Sequence, residues 1–290
     1  MIFLSAAAIL LMAVFLLWKT RYGYPPRDVP QILCYHKLSE KFCFEGTWMP
    51  PRRFLRQIER LIAAGFEFVD EDFILNALGQ PASACGRKIL LTFDDGYAEL
   101  YEMCLSHLLP RRIPVLIFIP SEYIGQKNDW DLSLGRRPFE HLSRTQIETL
   151  ARSGVSFGSH GARHLDLTRL GATELEREVV MSKATIEEIT GAPVKSFSYP
   201  FGRYNERVRS EVNRAGYEAA FSLYPKHCNE ITDRFALRRN GVYIIDTPFT
   251  IRCKLIPNPV YWFEEMKCRA INGVAALTPL VKRFSAGPGK

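Results

Sequence analysis

Short apolar runs that alternate with stretches of helical spacing are the feature that most constrains this 290-residue chain. Ile32–Tyr35, Phe66–Val69, Lys88–Phe93, Val115–Pro120, Val155–Gly158, Ser196–Tyr199 and Ala219–Leu223 have strand length, and Phe235–Ile244 supplies a last strand. Between them lie helical stretches. Arg52–Ala64 carries Phe54, Ile58, Leu61 and Ile62 on one side and closes at Gly65. Glu71–Leu78, Tyr97–Leu108, Arg144–Arg152, Thr173–Thr190 (stopped by Gly191) and Glu206–Ala215 (before Gly216) follow. Strands alternating with helices of this length imply a mainly parallel sheet. About seven such units fit a distorted (β/α)7-type barrel better than an open sheet. The α/β domain is expected over residues 32–256.

Both ends depart from this rhythm. Ile2–Trp18 is apolar except for Ser5 and is followed by Lys19 and Arg21. That is about the length a helix needs to cross a bilayer. No basic residues precede it and no small-x-small cleavage site follows it, so residues 1–21 read as a retained transmembrane helix, a single-pass anchor. Residues 22–31, with Pro25, Pro26 and Pro30, read as a linker. The flanking basic residues place the body on the cytoplasmic side. In the tail, residues 257–290, Trp262, Phe263, Met266, Ile271, Val274 and Leu277 mix with Lys267, Arg269, Lys282 and Arg283. It reads as an amphipathic helix that either packs on the domain or lies in a membrane interface.

Composition narrows the partners. A charge of +7 fits a solvated or membrane-proximal surface. The basic residues are scattered without any nucleic-acid-binding signature, so no nucleic acid partner is expected. Seven cysteines, none in a CxxC pair, read as small buried apolar residues.

Chemistry concentrates where the strands end. Asp94-Asp95-Gly96 follows Lys88–Phe93 directly, and adjacent carboxylates there are costly unless paired or bound to a metal. Neighbouring side chains diverge, so one can bind a metal while the other faces a substrate water. His160 and His164, four apart after another strand, suit a divalent ion: Zn2+ first, with Co2+, Ni2+ or Fe2+ compatible. The glutamate of a helical HExxH protease is absent, since Gly161 and Ala162 follow His160. Ser198-Tyr199-Pro200-Phe201-Gly202 leaves a third strand, and its Pro and Gly permit a turn that aims the Phe201 N–H at a ligand oxygen. His36 stands at the end of the first strand. In a (β/α) barrel these are positions on the catalytic face.

Thr92-Phe93-Asp94-Asp95-Gly96, Ser159-His160 through His164, and Tyr199-Pro200-Phe201-Gly202 together resemble the three motifs of the NodB-homology polysaccharide deacetylases, carbohydrate esterase family four. Tyr35-His36 is similar to the early Tyr-His of the exported poly-N-acetylglucosamine deacetylase type. The resemblance covers about residues 32–243. It implies metal-dependent hydrolysis of acetamido groups on N-acetylated glycans, with Asp95, His160 and His164 on the metal and Asp94 as general base. Phe201 N–H is implied to hold the oxyanion, and His36 to act as the acid in place of a missing late Leu-x-His motif. Tyr199, Pro200 and Arg238 are the expected substrate contacts. Ser198 stands where the family has an arginine; Arg238 and Arg239 are the candidates to replace it. Family practice favours the outer side of a bacterial inner membrane, against the flanking charges. Two rival readings are a deacylase of lipid-linked or nucleotide-linked sugars and an inactive membrane-anchored glycan-binding module.

Overall fold

The computed structural model describes residues 31–40, 46–78, 87–130, 138–223, 233–256, 258 and 260–275. The expected anchor, the linker up to residue 30, His227 and the last fifteen residues lie outside the described residues. Among the described residues no helix is long and apolar enough to cross a membrane.

Seven parallel strands close a ring. They are β1 (Gln31–Tyr35), β5 (Lys88–Phe93), β6 (Leu116–Ile119), β7 (Ser156–Ser159), β8 (Ser196–Ser198), β9 (Ala219–Leu223) and β10 (Leu237–Gly241), each bonded to the next, with β1 pairing both β10 and β5. Two short strands, β2 (Lys37–Leu38) and β3 (Trp48–Met49), pair in parallel outside the ring. A further strand, β4 (Glu67–Val69), shares one edge of β5 with β6. Ile89 pairs with both Gln31 and Phe68, and Thr92 with both Cys34 and Leu116, so β4 and β6 must both lie opposite β1. This split edge is the distortion in the barrel.

The helices follow from spacing and caps. α1 (Pro51–Ala63) buries Phe54, Ile58 and Leu61 against the sheet, each burial contributing about 1.5–3 kcal/mol. α2 (Glu71–Ala77) starts at Asp70, which accepts from Phe73 N at 2.8 Å. The stretch expected as a helix over 97–108 is α3 (Leu100–Met103) running into one π-turn at Cys104–Leu108. α4 (Arg144–Arg152) opens with a Ser143–Gln146 capping box, and α5 (Ala172–Thr190) ends on left-handed Gly191. α6 (Glu206–Arg214) is capped by Asn205.

Alternate strand residues separate two cores. Leu33, Tyr35, Ile89, Leu91, Phe93, Ile117, Ile119 and Phe197 face outward against helix residues such as Phe54, Val179 and Val212. Ile32, Leu90, Leu116, Phe118, Ala219, Phe221 and Leu237 fill the barrel interior. Two residues further along the same inward rows stand Cys34, Thr92, Ser198 and Arg239, all fully buried, and beyond them Asp94. The interior changes from apolar to polar over one step of the pleat, which positions the site.

The C-terminal segment docks on this barrel. α7 (Pro248–Leu255) and α8 (Tyr261–Ala275) are tied to it through Asp246, which accepts from Tyr243 N, Lys254 and Lys267. Burial opposes ionisation of Asp246, but Lys254 and Lys267 hold it below the usual carboxylate range. Cys268 of α8 is fully buried in a cluster with Cys34, Leu223 and Tyr243.

Candidate metal centre and active site

Three of the four non-glycine residues in left-handed backbone among the described residues are Asp95 (φ 69°), His164 (φ 55°) and Phe201 (φ 59°). Such conformations cost on the order of 1–3 kcal/mol each and persist only where the surroundings impose them. All three belong to the loops that leave β5, β7 and β8.

The first loop turns sharply because Asp95 and Gly96 are both left-handed; a Cβ on Gly96 would meet Ile119 Cγ1 at 3.2 Å. The turn sends Asp94 inward and Asp95 toward β7. His141 holds it from outside, its Nδ1–H donating to Asp95 O at 2.7 Å.

The second loop is clamped by a residue that sequence spacing does not reveal. Glu178 of α5, fully buried, accepts from Ala162 N and Arg163 N at 2.9 Å each and from Arg163 Nε at 2.5 Å. His160 donates Nδ1–H to Ser198 O at 2.7 Å, which fixes its tautomer and leaves Nε2 facing the carboxylates. Trp130 stacks on His164 with centroids 4.5 Å apart and planes at 17°.

Asp95 Oδ1 lies 3.7 Å from His160 Nε2 and 3.5 Å from His164 Nε2. These separations are too long for hydrogen bonds. They approach the edge of a tetrahedral site with bonds of about 2.0–2.1 Å, roughly 3.3 Å. Burial pushes the pKa of both imidazoles down, His164 the further, so both present lone pairs at neutral pH. One carboxylate and two neutral imidazoles, all within 4.8 Å of one another, fit a divalent cation.

Asp94 is held apart from that set. Arg239 grips it with two parallel bonds, Nη1 to Oδ1 at 2.6 Å and Nη2 to Oδ2 at 2.7 Å, and Nη2 also donates to Ser198 Oγ at 2.7 Å. Burial drives the Asp94 pKa up, but Arg239 and His160 more than reverse this, leaving it well below the usual carboxylate range. Where the resemblance calls for an arginine at position 198, a small serine leaves room for a guanidinium from β10, two strands further round the ring. A buried arginine is tolerable because it is paired and its guanidinium lies 5.2 Å from the Phe118 ring centroid.

The third loop carries Phe201. Gly202 N and Arg203 N close the turn onto Tyr199 O and Pro200 O, and the Phe201 N–H takes no part in these bonds. Gly202 must be glycine: a Cβ there would lie 2.8 Å from Leu223 N and 2.9 Å from Leu223 O. The Phe201 ring packs 4.7 Å from His164. His36, half-buried, has a ring nitrogen within 4.8 Å of an Asp94 oxygen.

A family profile described as polysaccharide deacetylase matches residues 82–220. Residues 82–220 thus match the polysaccharide deacetylase family, the one that the three motifs resemble. The chain is 26% identical over 217 residues to the putative polysaccharide deacetylase YxkH of Bacillus subtilis, covering 74% of this chain and 71% of that one. It is 24% identical over 152 residues to the poly-beta-1,6-N-acetyl-D-glucosamine N-deacetylase of Staphylococcus aureus, covering 48% of this chain and 49% of that relative, or about half its length. The Streptococcus pyogenes deacetylase PplD, solved with acetate, superposes with a TM-score of 0.65 at 18% identity over 79% of this chain and 98% of that one, which establishes a shared fold.

The loops at the strand ends gather Asp94, Asp95, His160, His164, His36 and Phe201 at one end of the barrel. Of the three expected substrate contacts, Arg238 lies away from this cluster, and Tyr199 and Pro200 are buried in the packing of the third loop. Arg238 points outward, paired with Glu265 and stacked over Tyr261, because strand neighbours face opposite sides and Arg239 is the inward one. Tyr199 is fully buried, stacked on Tyr204, its hydroxyl donating to Phe235 O at 2.9 Å. Pro200 is buried against the Gly161 turn. Sequence reasoning missed Cys34, Trp130, His141 and Glu178. Only His141, a histidine in an otherwise loop-like segment, offered any local signal.

Proposed function

We propose that this chain is a metal-dependent N-deacetylase of N-acetylated glycans. The observation that carries the reading is the division of labour between consecutive aspartates: Asp95 joins two neutral imidazoles, while Asp94, ionised by Arg239, stands beside them without joining. A divalent cation held by Asp95, His160 and His164 would supply Lewis-acid polarisation and acidify water. Asp94 accepts the proton of the water that attacks the acetyl carbonyl. The Phe201 N–H donates to the developing oxyanion, worth roughly 3–4 kcal/mol for such a donor. His36 protonates the departing sugar amine. Arg239 answers one of the two sequence arguments for an inactive glycan-binding module, since it brings a guanidinium from β10 to Asp94 where position 198 has none.

The glycan-polymer reading draws on the Staphylococcus aureus relative, whose name states its substrate. Residues 1–21 are proposed to hold the domain at a bacterial inner membrane, on the strength of their apolar run. Acetate release from poly-N-acetylglucosamine, chitin oligomers and lipid-linked sugars, with and without chelator, tests the reading. Activity is expected to depend on metal, and Asp94→Asn to keep the cation held by Asp95, His160 and His164 while releasing no acetate. Chelator-resistant release, or normal turnover in Asp94→Asn, refutes it.

A further inference from the structure

A second set of cation donors stands beside the first. Cys34 occupies the inward row of β1, His36 follows at the strand's end, and Asp94 faces both from β5. One donor atom from each, a thiol sulfur, an imidazole nitrogen and a carboxylate oxygen, lies within 4.8 Å of the others. Cys34 Sγ is 3.5 Å from Asp94 Oδ2. The two sets share no residue, yet they abut: Asp94 and Asp95 are consecutive, and His160 Nε2 of the first set lies 3.9 Å from Asp94 Oδ2. Their chemistry differs. The first set offers only oxygen and nitrogen. The second adds sulfur, which selects soft or borderline cations such as Cd2+ and Zn2+ over Mg2+.

We propose that Cys34, His36 and Asp94 form a second, weaker site for a thiophilic divalent cation, whose occupancy arrests the enzyme. On binding, the Cys34 thiol releases its proton to solvent and the thiolate, the His36 imidazole and the Asp94 carboxylate each donate a lone pair to the cation; nothing is oxidised or reduced. The site is weaker than the first for an electrostatic reason. Asp94 already gives both oxygens to Arg239, so the incoming cation competes with a guanidinium and sits close to the first cation. The arrest rests on the proposed function, because the same cation captures the base Asp94 and the acid His36. Excess Zn2+ therefore inhibits where excess Mg2+ does not.

The test titrates the metal-free full chain with Cd2+, following calorimetric stoichiometry and thiolate-to-cadmium charge-transfer absorption. Two equivalents are expected, the second bringing the absorption and one released proton. Cys34→Ser loses the second equivalent with its absorption and keeps the first; the difference spectrum between the two proteins cancels every other thiol. His36→Ala, at a half-buried strand end, weakens the second equivalent at least tenfold without touching the thiol. A single equivalent in the wild type with no Cys34-dependent absorption overturns the proposal, as does an unchanged second equivalent in either variant. His160→Ala separates the two ideas. It weakens the first equivalent alone; if it does not, the metal assignment under the proposed function fails while the Cys34 difference still decides the second site.

Discussion

Replacing Arg239 with methionine removes the cation that keeps Asp94 ionised inside the barrel and leaves a shape of similar length. Both partners are essentially excluded from solvent, at 0% and 1% exposure. Deleting one partner of such a pair typically costs about 3–5 kcal/mol, because the remaining charge is stranded. At about 2–4 °C per kcal/mol for a domain of this size, the melting temperature falls by roughly 6–20 °C. Catalysis shifts as well. Burial still opposes ionisation of Asp94 but the guanidinium no longer answers it, so its pKa rises; an adjacent opposite charge is worth about one to three pH units. As the proposed base, Asp94 works only when ionised, so activity is expected to be lost as pH falls through its pKa. The acid limb of kcat/KM for acetate release therefore moves up by about one to three pH units in Arg239→Met. Arg239→Lys, a point charge without the planar fork, falls between the two. The pH profile and a thermal melt check this together. An Arg239→Met enzyme with the wild-type acid limb and an unchanged melt would refute the claim that Arg239 sets the charge state of the base.

Gly202→Ala places a Cβ 2.8–2.9 Å from the Leu223 backbone in left-handed geometry. It is expected to destabilise by about 1–3 kcal/mol. By moving the Phe201 N–H it also lowers kcat by up to about 10²–10³-fold, with metal stoichiometry intact; calorimetry and steady-state kinetics separate these effects. Glu178→Gln weakens the clamp on Ala162 and Arg163, and metal affinity by competition titration drops about 10–100-fold, as for other groups that orient ligands. Equal affinity would show that the loop holds itself. Glu71, in α2, is pushed up by burial from 4.5 to about 7. The folded state then binds the extra proton between those values, so stability falls as pH rises through that window. Glu71→Gln abolishes this slope and gains on the order of 3 kcal/mol above pH 7 relative to wild type; a pH series of urea melts showing parallel curves would contradict it.

The candidate metal set was legible because its signals are local. Asp94-Asp95-Gly96 and the paired histidines each sit where an apolar run stops, and a run that stops inside a parallel barrel stops at its catalytic end. The arginine was not. Arg238 and Arg239 are equivalent as sequence, and only the facing of β10, set by its register with β9, sends one to Asp94 and the other to Glu265. Trp130 and His141 come from the long connection between β6 and α4, which has no periodicity to read. Glu178 looks like any polar residue of an amphipathic helix until α5 is laid over the second loop.

By itself the sequence determined the alternation of elements, the parallel sheet and the strand-end placement of Asp94, Asp95, His36, His160 and His164, because each follows from spacing within about ten residues. Tertiary structure alone decided ring closure, through β1 against β5, and with it which groups meet across the barrel: Arg239 with Asp94, Ser198 O with His160, Glu178 with the loop at 162–163. Those contacts join residues 15 to 145 positions apart. Their pairing depends on strand facing and helix docking, which hydrophobic periodicity constrains only as a pattern of inside and outside.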